Sequence, residues 1–328
     1  MSLMREAGLE PHERPEHLYW KYWREREDWP GSRSFVVTDG SEILAHGALM
    51  PGMCRLGDAR HRVIHIIDWA ARPSEVGTGV LLMKKIGRLA DFLLGIGGSK
   101  DTLRIMPLIG YRACGTVTGY VRTLSPLGVL KRPARQRWKL APRIARSALW
   151  SMKAPRRRQA GWRALRIGAE EVSRVSLALP TERAGMAVFE RNEASLRHLL
   201  ACPIVPTELY ALERADRVGG YFLLSYVPGQ ARLADCWMNS EEPADWGALV
   251  HCAVAQAKRH AGLAELVAWS SDPLLSRTLE NCGFHSRLTL PVYLRGSNGL
   301  TPPQEILRVQ MVENDASYLH LSQDELWA

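Results

Sequence analysis

Residues 63–94 read VIHIIDWAARPSEVGTGVLLMKKIGRLADFLL. The run Val63 to Ile67 is apolar and β-branched around one histidine, and it stops at Asp68 and Trp69. Pro73, a short spacer and Val76-Gly77-Thr78-Gly79-Val80 follow, then a helix-forming stretch with one apolar face. A strand that delivers glycines to the start of a helix builds an anion site. The first N–H groups of the helix have no partner inside it, and its dipole is positive there. Two glycines let a phosphate approach the backbone. The stretch points to a cofactor that carries phosphate.

Two common phosphate loops do not fit. A dinucleotide fingerprint needs a third glycine, and that position is Leu82. A P-loop needs Gly-Lys-Ser/Thr at its end, which is absent. What remains is a strand, a proline, and G-x-G-[VI] opening a helix. This resembles the pyrophosphate loop of the GNAT (GCN5-related) acyl-CoA N-acyltransferases, whose usual pattern is P-x-x-[RQ]-G-x-G-[IV]-[GA]. Here it is Pro73-Ser74-Glu75-Val76-Gly77-Thr78-Gly79-Val80-Leu81. Val76 replaces the usual Arg or Gln, and Leu81 the usual small residue. The resemblance implies acetyl-CoA or another acyl-CoA as cofactor. It places the cofactor on Trp69, Ala70 and Ala71 of the strand, on Val76, Gly77, Thr78, Gly79 and Val80 of the loop, and on Ser99 of the next one.

The surrounding chain has the order that this family implies. Extended runs at 35–38 and 43–50 are joined by Asp39-Gly40, a hairpin signal. Past the glycine helix come a short strand near 94–99, a helix at 101–109 stopped by Gly110, Tyr111, and a strand at 120–124. The strand that normally opens the fold is not evident in residues 1–17. The order then recurs. A hairpin occupies 219–238. A helix spans 243–261, with Trp246, Leu249, Val250, Ala253 and Ala257 on one face and Gly262 as its stop. A strand at 266–269 follows, and Asp272-Pro273 caps a second helix that ends at Asn281-Cys282-Gly283-Phe284. Such internal duplication is stronger evidence than either motif alone. The second copy has Glu241-Glu242-Pro243-Ala244 at its helix start. Two acids and no glycine repel a pyrophosphate, so this copy reads as degenerate. The expected architecture is α/β: two tandem GNAT-like domains, with mixed, mostly antiparallel sheets flanked by helices. The expected divisions are 1–126, a basic linker at 127–166, and 167–328.

Length supports two units, at about 150 residues per domain. Six cysteines show no metal-finger spacing and read as reduced thiols of a cytoplasmic chain. No apolar run reaches the ~18 residues of a membrane span, and no signal peptide is visible. The net charge is +9 and uneven. Residues 102–169 contain 16 Lys and Arg and no acid, which leaves −7 for the remainder. Within this joint, 142–153 is amphipathic. Ile144, Ala145, Ala148, Leu149 and Met152 lie on one side; Arg143, Arg146 and Lys153 lie on the other with Trp150. That pattern suits peripheral contact with an anionic membrane, or packing across the two copies, and not sequence-specific nucleic-acid binding. Arg156-Arg157-Arg158 reads as solvated linker.

Acyl transfer to an amine needs a base, a group that polarises the carbonyl, and help for the leaving thiolate. The resemblance puts a carboxylate base on the strand before the glycine loop, which is Asp68; its alternative is to pair with a nearby cation. His65, three residues away, falls on the opposite face of a regular strand. Glu75 suits the loop's solvation better than a base. The family's usual tyrosine acid falls on Met106 and Leu279, so Tyr111 is the substitute candidate, with core packing as its alternative. Cys114 has no neighbouring histidine to activate it. Asp235, in the second copy, resembles Asp68 in setting and suits an interface or acceptor contact. The leading expectation is an acyl-CoA-dependent N-acyltransferase, with a small-molecule or sugar amine taken between the copies. The alternatives are a Fem-like transferase fed by aminoacyl-tRNA and a non-catalytic binding module.

Overall fold

The computed structural model describes residues 2–319 except 8, 10–13, 57, 127–139, 154–160, 182, 184, 298 and 304. The opening segment holds short helices α1 (Ser2–Glu6) and α2 (Pro15–Leu18), extended by a π-helical turn at Tyr19–Trp23. The hairpin β1 (Ser34–Thr38) and β2 (Ile43–Leu56) turns on Asp39 and Gly40. The Asp39 side chain accepts from Ser41 and Glu42, and Gly40 takes a φ of 102°. Then come β3 (Ala59–Ala71), α3 (Thr78–Ile86), β4 (Phe92–Ile96), α4 (Lys100–Leu108) and β5 (Arg112–Thr123). Helix α5 (Leu140–Lys153) bridges to the second half, which opens with β6 (Arg163–Ile167), a 3-10 helix at Ala169–Ala178, β7 (Met186–Phe189) and α6 (Glu193–Leu200). It continues with β8 (Thr207–Arg214), β9 (Arg217–Val227), β10 (Gln230–Met238), α7 (Pro243–Ala257), β11 (Glu265–Ser270), α8 (Pro273–Asn281), β12 (His285–Gly296) and β13 (Ile306–Arg308).

The predicted repeat is present: β2-β3-α3-β4-α4-β5 is matched by β9-β10-α7-β11-α8-β12. Two separate domains are not. The 13 strands among the described residues form one sheet, in the order β13-β7-β2-β3-β4-β12-β5-β11-β10-β9-β8-β6, with β1 on β2. The halves trade their last strands. β5 of the first half leaves β4 and pairs antiparallel with β11; β12 of the second half pairs antiparallel with β4. The two exchanged strands meet at the centre, also antiparallel. One buried cluster draws on both halves, joining Val63, Phe92 and Leu94 to Val267, Trp269, Val292, Val309 and Met311. Neither half keeps all of its strands in a sheet of its own.

Several elements run longer than the sequence suggests. β2 continues six residues past Met50, through Pro51-Gly52. Pro51 is tolerated because β1 pairs only as far as Ala48 and β7 begins at Cys54, so its nitrogen lies on a local edge. In the joint, Lys131 to Lys139 and Arg156 to Arg158 lie outside the described residues. α5 packs on β5. Its Trp150 stacks on His285 of β12 at 3.8 Å, with the guanidinium groups of Arg146 and Arg287 also over the indole. Arg163 and Arg166 of the joint pair with Glu213, Asp216 and Glu208 of the second half.

Candidate active site

β3 and β4 are parallel neighbours only where Val63, Ile64 and His65 face Phe92, Leu93 and Leu94. Beyond His65 the strands part. A bulge drives the separation: between the pairs Ala48–Ile67 and His46–Ala70, β2 spends one residue and β3 spends two, Asp68 and Trp69. Asp68 adopts a φ of 49°, rare for a residue with a side chain but tolerated by aspartate. Trp69 folds back onto α3 and donates its indole N–H to the carbonyl of Gly79 at 3.2 Å. Because the strands are parallel, the loops after β3 and after β4 lie at the same end of this opening. That is where open α/β sheets take ligands.

The two glycines of the predicted loop do different work. Gly77 caps α3 with a left-handed φ of 93°, and a Cβ there would meet nothing. Gly79 is needed for proximity: a Cβ would lie 3.1 Å from both Ala71 Cβ and Trp69 Nε1. No side chain caps the helix. Thr78 N–H reaches back to Glu75, and Leu81 N–H to Gly77. The N–H groups of Gly79 and Val80, between them, meet no protein acceptor among the described residues. Val76 is 95% exposed, so no cation stands where the family pattern carries one. Ser99 caps α4, accepting from Thr102 N–H at 3.2 Å. The arrangement fits a pyrophosphate on backbone N–H groups, with Ala70 and Ala71 on the unpaired edge of β3 above it.

Asp68 is engaged. Its carboxylate lies 2.6 Å from Lys21 Nζ and 2.8 Å from the Tyr22 hydroxyl, while its carbonyl contacts His46 Nδ1 at 3.1 Å. Burial opposes the charge, but Lys21 and Tyr22 hold the carboxyl below the usual range. Lys21 also reaches Asp315, at 3.3 Å. Residues 311–318, which cross the sheet face, therefore bring a second carboxylate that the sequence reading missed. Its partner carried a signal: a lysine inside Tyr-Trp-Lys-Tyr-Trp is set to be buried and must find an acid. The strand-parity argument about His65 also fails. The bulge inserts a residue, so Asp68 comes to the same face as His65, whose Nδ1 contacts the carbonyl of Glu313 at 2.8 Å. Burial lowers the pKa of His65.

Tyr111 is placed in the core with Ile64, Leu93 and Met106. Burial raises its pKa, and its ring sits beside Gly95 of β4. Cys114 is likewise pushed up, to about 11, by burial. On the face opposite α3 lies a groove of about 90 Å³ between the halves. Trp20, Met50, His65, Phe189, His198 and Tyr318 are among its walls.

The second half has the same opening with different contents. β10 pairs with β11 only from Gln230 to Leu233, and a bulge at Ala234 follows. By register, Asp235 lies past this bulge and is not the positional counterpart of Asp68. It is fully buried, bound to Arg191 at 2.8 Å and Tyr221 at 2.7 Å. The Gln310 side chain fills the opening, accepting from Cys236 N–H and donating to its carbonyl, both at 3.2 Å. Arg308 donates to the same carbonyl, and Val309 is tied to Ser271 at the end of β11. α7 begins at Pro243 behind Glu242, with Asp245 in its first turn.

No protein-family model and no curated protein matches this chain. Solved structures do. It is similar to the N-myristoyltransferase of Saccharomyces cerevisiae, solved with myristoyl-CoA, at a TM-score of 0.58 and 15% identity over 90% of this chain and 74% of that one. It is similar to a GCN5-related N-acetyltransferase of Anabaena variabilis, at 0.55 and 12% over 90% and 68%. A probable N-acyltransferase of Enterococcus faecalis gives 0.56 and 12%, with the same coverage. The chain has the fold of the GCN5-related N-acyltransferases. Identities this low carry the fold and leave the acceptor open.

Proposed function

We propose that the chain transfers an acyl group from acyl-CoA to an amine, with the donor bound only in the first half. One observation carries this reading. The opening between β3 and β4 has an uncapped helix start beside it, whereas its counterpart between β10 and β11 is closed by Gln310 and Arg308. The pyrophosphate would lie on the N–H groups of Gly79 and Val80, and the acyl arm would run along the free edge of Ala70 and Ala71. Bound acyl-CoA supplies an activated thioester; the protein supplies position and proton transfer. The groove on the opposite face is the natural seat for the acceptor. Asp68 and Asp315, both at Lys21, are the candidate proton acceptors. No helix among the described residues is long and apolar enough to cross a membrane, and we place the protein in the cytoplasm.

A non-catalytic module is the second reading, favoured by the ion pair that occupies Asp68. A thermal-shift comparison separates the readings. Stabilisation by CoA or acetyl-CoA supports the donor site. Stabilisation by tRNA alone would favour an aminoacyl-tRNA-dependent transferase. No response to either would favour a binding module.

A further inference from the structure

We propose that Asp315, and not Asp68, takes the proton from the acceptor amine, with Lys21 fixed between the two carboxylates as their shared counter-ion. The proposal rests on the acyltransferase reading and names its base. Two carboxylates approach one ammonium that is almost fully buried, Asp68 at 2.6 Å and Asp315 at 3.3 Å. They are not equivalent. Asp68 has the shorter ion pair and also accepts from Tyr22. Asp315 has only the longer contact to Lys21, through one oxygen; its other oxygen accepts from no described residue. The Asp315 side chain keeps 14% of its surface, comparable with the 16% of Asp68, so it is not sealed away.

Chemistry separates them further. Two acids that share one cation titrate as a pair, and their environments push them apart. Lys21 and Tyr22 hold Asp68 ionised. Burial and the charge of Asp68 raise Asp315. The groups facing Asp315 are Lys21 and Tyr22 from the opening segment, His65 and Asp68 from β3, Arg232 from β10, and Tyr318 on its own segment. A base works best with a pKa near the working pH, and the raised carboxyl is the better matched. In the step, an ammonium acceptor gives one proton to Asp315. The free amine attacks the thioester carbonyl, the C–N bond forms and the C–S bond breaks. The second proton from nitrogen ends on the CoA sulfur, and Asp315 releases its proton to solvent.

The full-length protein with ¹³Cγ-labelled aspartate is titrated by NMR as wild type, Asp68→Asn and Asp315→Asn. Thiol release from acetyl-CoA, with methylamine as a generic acceptor, is followed across pH. The expected highest-titrating aspartate is lost in Asp315→Asn and moves to lower pH in Asp68→Asn, because the repelling charge is gone. The acid limb of the rate profile should disappear in Asp315→Asn, shift downward in Asp68→Asn, and return in Asp315→Glu. If Asp68→Asn abolishes the limb and Asp315→Asn only lowers it, Asp68 is the base and the proposal is wrong. Thiol release with a limb unchanged in Asp315→Asn defeats this inference alone. No thiol release from wild type defeats the acyltransferase reading with it.

Discussion

Replacing the two glycines of the proposed donor loop separates the two roles that the structure gives them. Gly77→Ala meets no atom, so its cost is the left-handed backbone alone, about 1–2 kcal/mol of stability. The helix start can relieve that strain only by moving its free N–H groups, so CoA affinity should fall by about 1–3 kcal/mol, the scale of charged hydrogen bonds. Gly79→Val has an ordinary φ and fails sterically. Its Cβ would lie 3.1 Å from Ala71 and Trp69, both in the bulged end of β3. Overpacking there should cost about 1–3 kcal/mol of stability and force α3 away from the open edge. CoA affinity should fall at least as far as in Gly77→Ala. Gly247→Ala in α7 is the control. Nothing lies within 4 Å of its Cβ, so stability should hold or rise by about 0.5–1 kcal/mol with CoA binding unchanged. Calorimetry with CoA and urea unfolding of the same samples give both quantities. Wild-type affinity in both loop variants, while their stability falls as expected, would show that the donor does not use this loop.

Three further expectations concern other parts of the structure. Burial and the nearby Arg26, Arg33 and Arg24 lower the pKa of His198 to about 2. The unfolded chain therefore binds a proton below about pH 6.5 that the folded chain refuses, and lowering pH from 7 to 5 should cost about 2 kcal/mol. His198→Gln should remove that loss, and urea midpoints with the same pH dependence in both proteins would contradict it. Lys21→Met leaves Asp68 and Asp315 without their cation and should destabilise by about 3–5 kcal/mol at pH 7. Both carboxyl pKa values then rise above their unfolded values, so the variant should regain stability as pH falls; a deficit that does not shrink at acid pH would refute the assignment. The contacts of Trp150 with His285, Arg146 and Arg287 predict that anionic vesicles leave its emission unchanged, measured as the difference between wild type and Trp150→Phe. A blue shift would instead support a membrane role for the basic joint.

Local signals were legible in the sequence; non-local ones were not. The glycine loop, the Asp39-Gly40 hairpin, the Asp272 cap and the two glycine stops Gly110 and Gly283 are each written in a few adjacent residues. The repeat was legible because each copy carries its own set. The strand exchange was invisible, since β5 and β12 keep the same pattern whichever half they pair with. Hydrophobic alternation records that a strand has neighbours and not which ones. Parity misplaced Asp68 because a bulge adds one residue without a clear composition signal. Asp315 was missed for a similar reason: it lies 247 positions from Asp68, on a segment with no periodic pattern, and only the folded chain brings both to Lys21.

The segment from β13 to residue 318 also explains how one duplicated fold can come to have two unlike clefts. In the second half its Gln310 satisfies both backbone groups of Cys236 that point into the opening, and Asp235 is locked by Arg191, Tyr221 and Gln310. A buried, fully paired network of this kind leaves nothing for a ligand to satisfy. In the first half the same segment stops short of the opening. It sends Asp315 to Lys21 and the Glu313 carbonyl to His65, and β3 keeps an edge at Ala70 and Ala71 that β4 does not pair. Each half thus has a cation set between two acids, Lys21 between Asp68 and Asp315, and Arg191 between Asp235 and Glu313. The second arrangement sits beside an opening that Gln310 and Arg308 fill, and the first beside a free edge of β3. On this geometry the two openings differ: one is closed by side chains of the chain itself, and the other has an unpaired strand edge beside an uncapped helix start.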